Sequence, residues 1–150
     1  MKLKIPPIVV FLVSGSLMYL LAEFLPAGYF DFFGRHYLMI FLAAFGIVIA
    51  GVALFQFYAA KTTIDPTQPD KTKKLVVNGI YAYSRNPMYL AMLLLLLAWG
   101  IWLGNAFNTL LAAGFVAYMN RFQIEPEEHA LTKIFNKDYK QYCVLARRWF

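Results

Sequence analysis

Apolar residues along this chain gather into four long runs separated by short polar breaks, and no run carries a charge near its middle. About 20 apolar residues in helical form cross a hydrocarbon layer roughly 30 Å thick. The first run covers residues 5–25 and the second 37–60, where Gly46 and Gly51 mark points of close helix approach. The third, 87–103, is short unless it recruits the polar segment before it. The fourth, 106–124, follows after only Gly104 and Asn105, which predicts a tight helical hairpin. Beyond it the pattern changes to a two-faced one. Ala130, Leu131, Ile134 and Phe135 share one side of a helix, and His129, Lys133, Asn136 and Lys137 the other, as for a helix lying in a membrane interface. The expected fold is all-α: one integral membrane domain over 1–150, four transmembrane helices and a cytoplasmic C-terminal amphipathic helix over 125–150.

Composition agrees with the pattern. Of 150 residues, 61% are hydrophobic and 15% charged, with a mean hydropathy of +0.55, beyond the range of a water-soluble domain this size. There is no internal repeat, low-complexity tract or linker that would divide the chain. The opening Met-Lys-Leu-Lys before an apolar run resembles a signal peptide in charge, but no small-x-small cleavage pattern follows, and Glu23 and Pro26 occupy the relevant zone. The segment is expected to be retained.

Charge sets the orientation. With the N-terminus inside, Lys2, Lys4, Lys61, Lys71, Lys73, Lys74, Arg85, Arg121, Lys133, Lys137, Lys140, Arg147 and Arg148 all face the cytoplasm, and Arg35 alone lies outside. Both termini are then cytoplasmic. Basic juxtamembrane segments favour anionic headgroups, so the net charge of +6 needs membrane lipid as partner and no nucleic acid. The single Cys143 permits no intrachain disulfide and no thiolate metal cluster. His36 and His129 fall on opposite sides of the membrane, and no metal site is expected. Four helices enclose little core, so a homodimer is compatible with the sequence.

The remaining polar chemistry lies on one face, in the segment from Lys61 to Tyr89 and in the tail from Arg121, and the two should meet. The loop after Lys61 is punctuated by Asp65-Pro66, Gln68-Pro69 and Asn78-Gly79 turn signals and suits a lid or a headgroup-lying segment. At "NGIYAYSRNPMYL", Asn86 suits a helix N-cap and Pro87 the first turn of the third span. On spacing alone, Arg85 snorkels to phosphate and Tyr81, Tyr83 and Tyr89 form an interfacial aromatic belt. In the tail, Pro126 opens a helix whose first turn places Glu127 and Glu128 at the positive end of the dipole.

The two blocks together resemble a known family. "GIYAYSRNPMYLA" is similar to the Gly-x-Tyr-x-x-x-Arg-His-Pro-x-Tyr-x-Gly signature of the membrane-embedded methyltransferases, which include isoprenylcysteine carboxyl methyltransferases and phospholipid N-methyltransferases; Gly79, Tyr81, Arg85, Pro87 and Tyr89 fall in register. After the hairpin, Pro126, Glu127, Glu128, Leu131, Phe135, Tyr139, Tyr142, Arg148 and Trp149 match that family's second block. The resemblance covers residues 70–150; the first two spans match only in character. Asn86 stands where many members carry histidine and Ala91 where many carry glycine. Asparagine hydrogen-bonds but carries no proton near neutral pH, so a general base at 86 is not expected.

The resemblance implies S-adenosylmethionine as methyl donor and a lipophilic acceptor, isoprenoid- or phospholipid-like, at the cytoplasmic face of a bacterial or archaeal membrane. Cofactor contacts are implied for Tyr81, Arg85, Asn86, Pro87, Tyr89, Glu127 and Glu128, with Arg85 and Glu128 as the catalytic pair. These residue types suit a ligand with a cationic sulfonium, a carboxylate and a flat ring. No glycine-rich loop follows a strand, so the doubly wound methyltransferase fold is excluded. Outside the enzyme class, the same features suit a non-catalytic membrane subunit or small transporter component with a lipid-binding basic rim. Transport would be marked by ionisable residues in mid-span, and Glu23 and Gln56 both lie near span ends.

Overall fold

The computed structural model describes residues 5–60 and 75–150. The basic N-terminal residues and the predicted lid with its Asp65-Pro66 and Gln68-Pro69 turns lie outside the described residues. The chain is all-helical: α1 (Pro7–Phe24), α2 (Arg35–Ala59), α3 (Pro87–Leu103), α4 (Asn108–Met119) and α5 (Glu125–Leu145), with a 3₁₀ turn at Gly79–Ala82 and a π-helical segment at Asn120–Ile124. The four apolar runs are therefore four helices. Of these, α1 and α2 are long and apolar enough to cross a membrane, whereas α3 has 17 residues and α4 has 12.

Proline and glycine set the boundaries. Pro7 begins α1 and Pro87 begins α3 at positions where no intrahelical N–H is needed. α3 ends at Gly104, whose φ of +66° is the left-handed cap conformation that glycine adopts without strain. The predicted hairpin follows. Asn105 is buried there, its amide donating to the Leu25 carbonyl at 2.7 Å and its oxygen accepting from Phe107 N at 3.0 Å. Backbone bonds from Phe30 N to Gly104 O and from Ala106 N to Gly28 O, both 2.8 Å, join this hairpin to the α1–α2 connection at one end of the bundle.

α3 is the central helix and packs against α1, α2 and α4. Met18, Leu96, Ala112, Phe115 and Met119 form the core between α1, α3 and α4. The Trp99 indole donates to Gly15 O at 3.1 Å and ties α3 to α1. Gly46 allows α2 onto α3, since a Cβ there would lie 3.2 Å from Ala91 O and 3.3 Å from Leu94 Cβ. Gly51 is exposed with open space beside it, so the expected close approach at that glycine does not occur. The outer faces of α1 and α2 are apolar: Leu12, Val13, Phe41, Phe45, Val48 and Phe55 are all exposed. A water-soluble bundle hides such a surface, and hydrocarbon accepts it.

The tail corrects the predicted boundary at 124. The fourth span does not end before a fresh helix; α4 passes through the π segment into α5, and Glu125 N bonds back to Asn120 O. Pro126 and the acidic residues thus occupy the first turn of α5 without a free helix end before them. α5 is interrupted at Asn136, whose φ of +41° and ψ of −104° lie outside helical space. His129, Lys133, Asn136 and Lys137 are exposed as the periodicity predicts, and Leu131 and Phe135 pack inward, but Ile134 is exposed.

Candidate functional site

The site lies at the end of the bundle opposite the hairpin, where the segment before α3 meets α5 and the residues after it. Its floor is aromatic. Tyr81, on the 3₁₀ turn, is 4% exposed and meets Phe57 of α2 edge-on at 5.1 Å, an arrangement worth about 1 kcal/mol beyond burial. Tyr139 and Tyr142 are buried beside it, and the Tyr142 hydroxyl donates to Tyr81 O at 2.6 Å. Burial pushes the Tyr81 and Tyr142 phenols well above their ordinary value, so both stay neutral donors. Gly79 makes the turn that delivers Tyr81. Its φ is +64°, and a Cβ there would sit 1.8 Å from Gln56 Nε2, while Gln56 Oε1 accepts from Ile80 N at 3.2 Å.

On this floor stands a charged cluster. Glu128 lies between two guanidiniums: Arg85 Nη2 donates to Oε1 at 2.9 Å, and Arg148 donates from Nη2 to Oε2 at 2.6 Å and from Nε to Oε1 at 3.2 Å. The Arg85 side chain is 12% exposed, Glu128 19% and Arg148 36%. Arg85 Nη1 also donates to the Cys143 carbonyl at 3.3 Å. Held this way, Arg85 does not snorkel to a headgroup. The hydrogen bond to Glu128 raises the Arg148 pKa further above its ordinary value.

Glu127 has different surroundings from its neighbour. It accepts from the Tyr89 hydroxyl on α3 and has no cationic partner among the described residues. Burial pushes its carboxyl up to about 8, and the Glu128 charge adds to the rise, while the Tyr89 hydrogen bond opposes it. Near neutral pH the Glu127 carboxyl is thus largely protonated, beside a Glu128 that is paired with two guanidiniums.

Residues 146–149 strap the cluster. Arg85 N donates to Arg147 O at 2.9 Å, the Asn86 side-chain amide donates to Arg148 O at 2.8 Å, and the Trp149 indole donates to Asn120 Oδ1 at 3.0 Å. Asn86 occupies the predicted N-cap position, but its side chain makes no cap bond and is spent on the strap. Pro87 is buried at the first position of α3. Tyr81 and Tyr89 are buried, so the interfacial-belt expectation fits only Tyr83, which is 79% exposed. Two buried donors at the site have no hydrogen-bond partner among the described residues: Arg85 Nε and the Tyr81 hydroxyl.

Tyr81, Arg85, Asn86, Pro87, Tyr89, Glu127 and Glu128 are therefore all found in one region, joined by contacts spanning 38 and 43 residues of sequence. Arg148, Gln56 and Asn120 belong with them and were not among the candidate site residues read from the sequence. Arg148 carried a signal, since it and Trp149 close the second block; Gln56 and Asn120 are polar residues at the ends of apolar runs.

Comparison with known proteins bears on this region directly. A family model described as phospholipid methyltransferase matches residues 34–138, which include α2, both motif blocks through Asp138 and the four side chains Arg85, Tyr89, Glu127 and Glu128. A Haemophilus influenzae protein whose description reads "Uncharacterized protein" is 45% identical over 62 residues, 41% of this chain and 98% of that relative. No solved structure matches the chain.

Proposed function

Because the chain belongs to the phospholipid methyltransferase family, we propose that it is an S-adenosylmethionine-dependent methyltransferase acting on a lipid-like acceptor, phospholipid or isoprenoid, at the cytoplasmic face of a bacterial or archaeal membrane crossed by α1 to α4. The observation that carries the proposal is the junction of the two motif blocks, Arg85 on Glu128 and Tyr89 on Glu127. A helix bundle does not need a three-residue ionic cluster for stability, because desolvating the charges offsets much of their attraction.

The residues present fit the donor. Arg85 Nε and the Tyr81 hydroxyl are buried donors without a partner among the described residues, suited to a carboxylate. Glu127, beside the Tyr89 ring, ionises when a cation is placed near it, which suits a sulfonium. When bound, the cofactor would supply an electrophilic methyl group to a lone pair of the acceptor. Arg85 and Glu128 then fix the geometry, Tyr89 orients the Glu127 carboxyl, and Asn86 and Pro87 hold the start of α3 against the strap. In-line positioning is the main demand of such a displacement, and a cluster tied to three elements meets it.

Calorimetric titration of S-adenosylmethionine into the protein in lipid nanodiscs tests the proposal, with Arg85→Ala and Glu128→Ala alongside and helicity checked by circular dichroism. Saturable wild-type binding that weakens at least about tenfold in both variants is expected. Folded wild-type protein that binds no cofactor would instead indicate a non-catalytic membrane subunit.

A further inference from the structure

A second site lies at the far end of α3, where a cavity of about 140 Å³ is lined by Met18, Phe30, Leu97, Gly100, Ile101, Asn105, Asn108 and Thr109. From Pro87 to Gly100 the helix rises about 20 Å, so the cavity is remote from the Glu128 cluster. Its walls are hydrocarbon apart from three polar side chains, and two of those are already engaged. Asn105 donates to Leu25 O and accepts from Phe107 N, and the Thr109 hydroxyl donates to Ala106 O at 2.6 Å. Asn108 is the exception. The residue is only 2% exposed, and neither Oδ1 nor Nδ2 finds a partner among the described residues.

A buried primary amide left without partners is strongly disfavoured, so the residue points to an occupant that both donates and accepts. Water alone fits poorly. A buried water needs two to four polar partners, and Asn108 is the only lining side chain with both functions unused, so a water cluster here would face apolar wall on most sides. A hydroxyl on an apolar body matches both features: its O–H donates to Oδ1, its oxygen accepts from Nδ2, and its carbon skeleton lies against Met18, Leu97 and Ile101. A cavity of roughly this volume accommodates a benzene-sized group.

We propose that this cavity is a ligand site for a neutral hydroxyl-bearing amphiphile, with Asn108 as its recognition residue. The hydroxyl belongs either to a free small alcohol or to the end of a membrane lipid. The site is independent of the methyltransferase proposal.

Fluorine NMR titration of the protein in nanodiscs, using 4-fluorobenzyl alcohol and its apolar isostere 1-ethyl-4-fluorobenzene, provides the test. In the wild type the alcohol is expected to bind saturably and about tenfold tighter than the isostere. The near-isosteric Asn108→Leu change should abolish or invert that preference. Phosphatidylcholine nanodiscs doped with diacylglycerol that weaken the alcohol probe relative to phosphatidylcholine alone identify a lipid hydroxyl as the natural occupant; equal affinity identifies a free alcohol. Absence of saturable alcohol binding, wild-type preference for the isostere, or an unchanged preference in Asn108→Leu each overturns the proposal, and the first two need no variant to fold.

Discussion

Glu127 and Glu128 are adjacent in sequence and differ in surroundings. Two guanidiniums pair with Glu128, whereas burial and the neighbouring Glu128 charge raise the Glu127 carboxyl from 4.5 to about 8 against the opposing Tyr89 hydrogen bond. The consequence for stability has a definite sign. Between those values the folded chain holds a proton the unfolded chain has released, so stability falls as pH rises through that window and levels off above it. Thermal midpoints are therefore expected to drop from about pH 5 to about pH 8, and Glu127→Gln should flatten that slope and exceed wild type in alkaline buffer. A wild-type midpoint that rises across the same window would contradict the assignment. Binding follows the same linkage. A sulfonium beside Glu127 favours the ionised form, so cofactor binding near pH 7 should release protons, seen as a calorimetric enthalpy that depends on buffer ionisation and vanishes in the Gln variant. None of this was legible in the pair "EE" itself, because spacing shows that both carboxyls share a helix turn but not which of them finds the arginines.

At the scale of elements, the helices were legible where apolar runs are long and bounded by proline or glycine. The second run, expected over 37–60, is α2 over Arg35–Ala59, and the third is α3 from Pro87 to Leu103. Hydrophobic periodicity does not report departures from ideal backbone, and two were missed. The π segment at Asn120–Ile124 looks like ordinary helix by pattern, yet its wider turn accompanies the meeting of Asn120 with Trp149. The break at Asn136 is likewise invisible, because the flanking residues on both sides keep helical patterning. With φ of +41° and ψ of −104°, Asn136 sits where a side chain is strained and glycine is not. Asn136→Gly is accordingly expected to stabilise the protein by about 1 kcal/mol, the relief of strain outweighing the entropy glycine adds to the unfolded chain. An upward shift of a few degrees in the thermal midpoint checks it, while destabilisation would mean that the amide side chain makes a compensating contact.

At the scale of the molecule, the stitching of the two ends decides what the shorter helices do. The α1–α2 connection is tied to the α3–α4 hairpin through Phe30, Gly104, Ala106 and Gly28, and the residues before α3 are tied to those after α5 through Arg85, Asn86 and Arg148. α1 and α2 are long and apolar enough to cross, and their exposed faces suit hydrocarbon. If they span, α3 must span with them, because its ends are fixed to the same two levels, and α4 must return. α3 alone is about 25 Å long, short of a typical hydrocarbon layer, so a spanning α3 would require the bilayer to thin locally or the polar segment before Pro87 to dip into it. Cysteine labelling separates this from a two-span arrangement. In a Cys143→Ser background, cysteines at Phe33, Ala106 and Val144, all exposed, report the α1–α2 connection, the hairpin and the tail. With four spans and the basic residues inside, a membrane-impermeant maleimide applied to intact cells should label positions 33 and 106, and position 144 only after permeabilisation. Labelling of 33 without 106 would leave α3 and α4 on the cytoplasmic side. Labelling of 144 alone in intact cells would place the Glu128 cluster outside, where an intracellular methyl donor does not reach it.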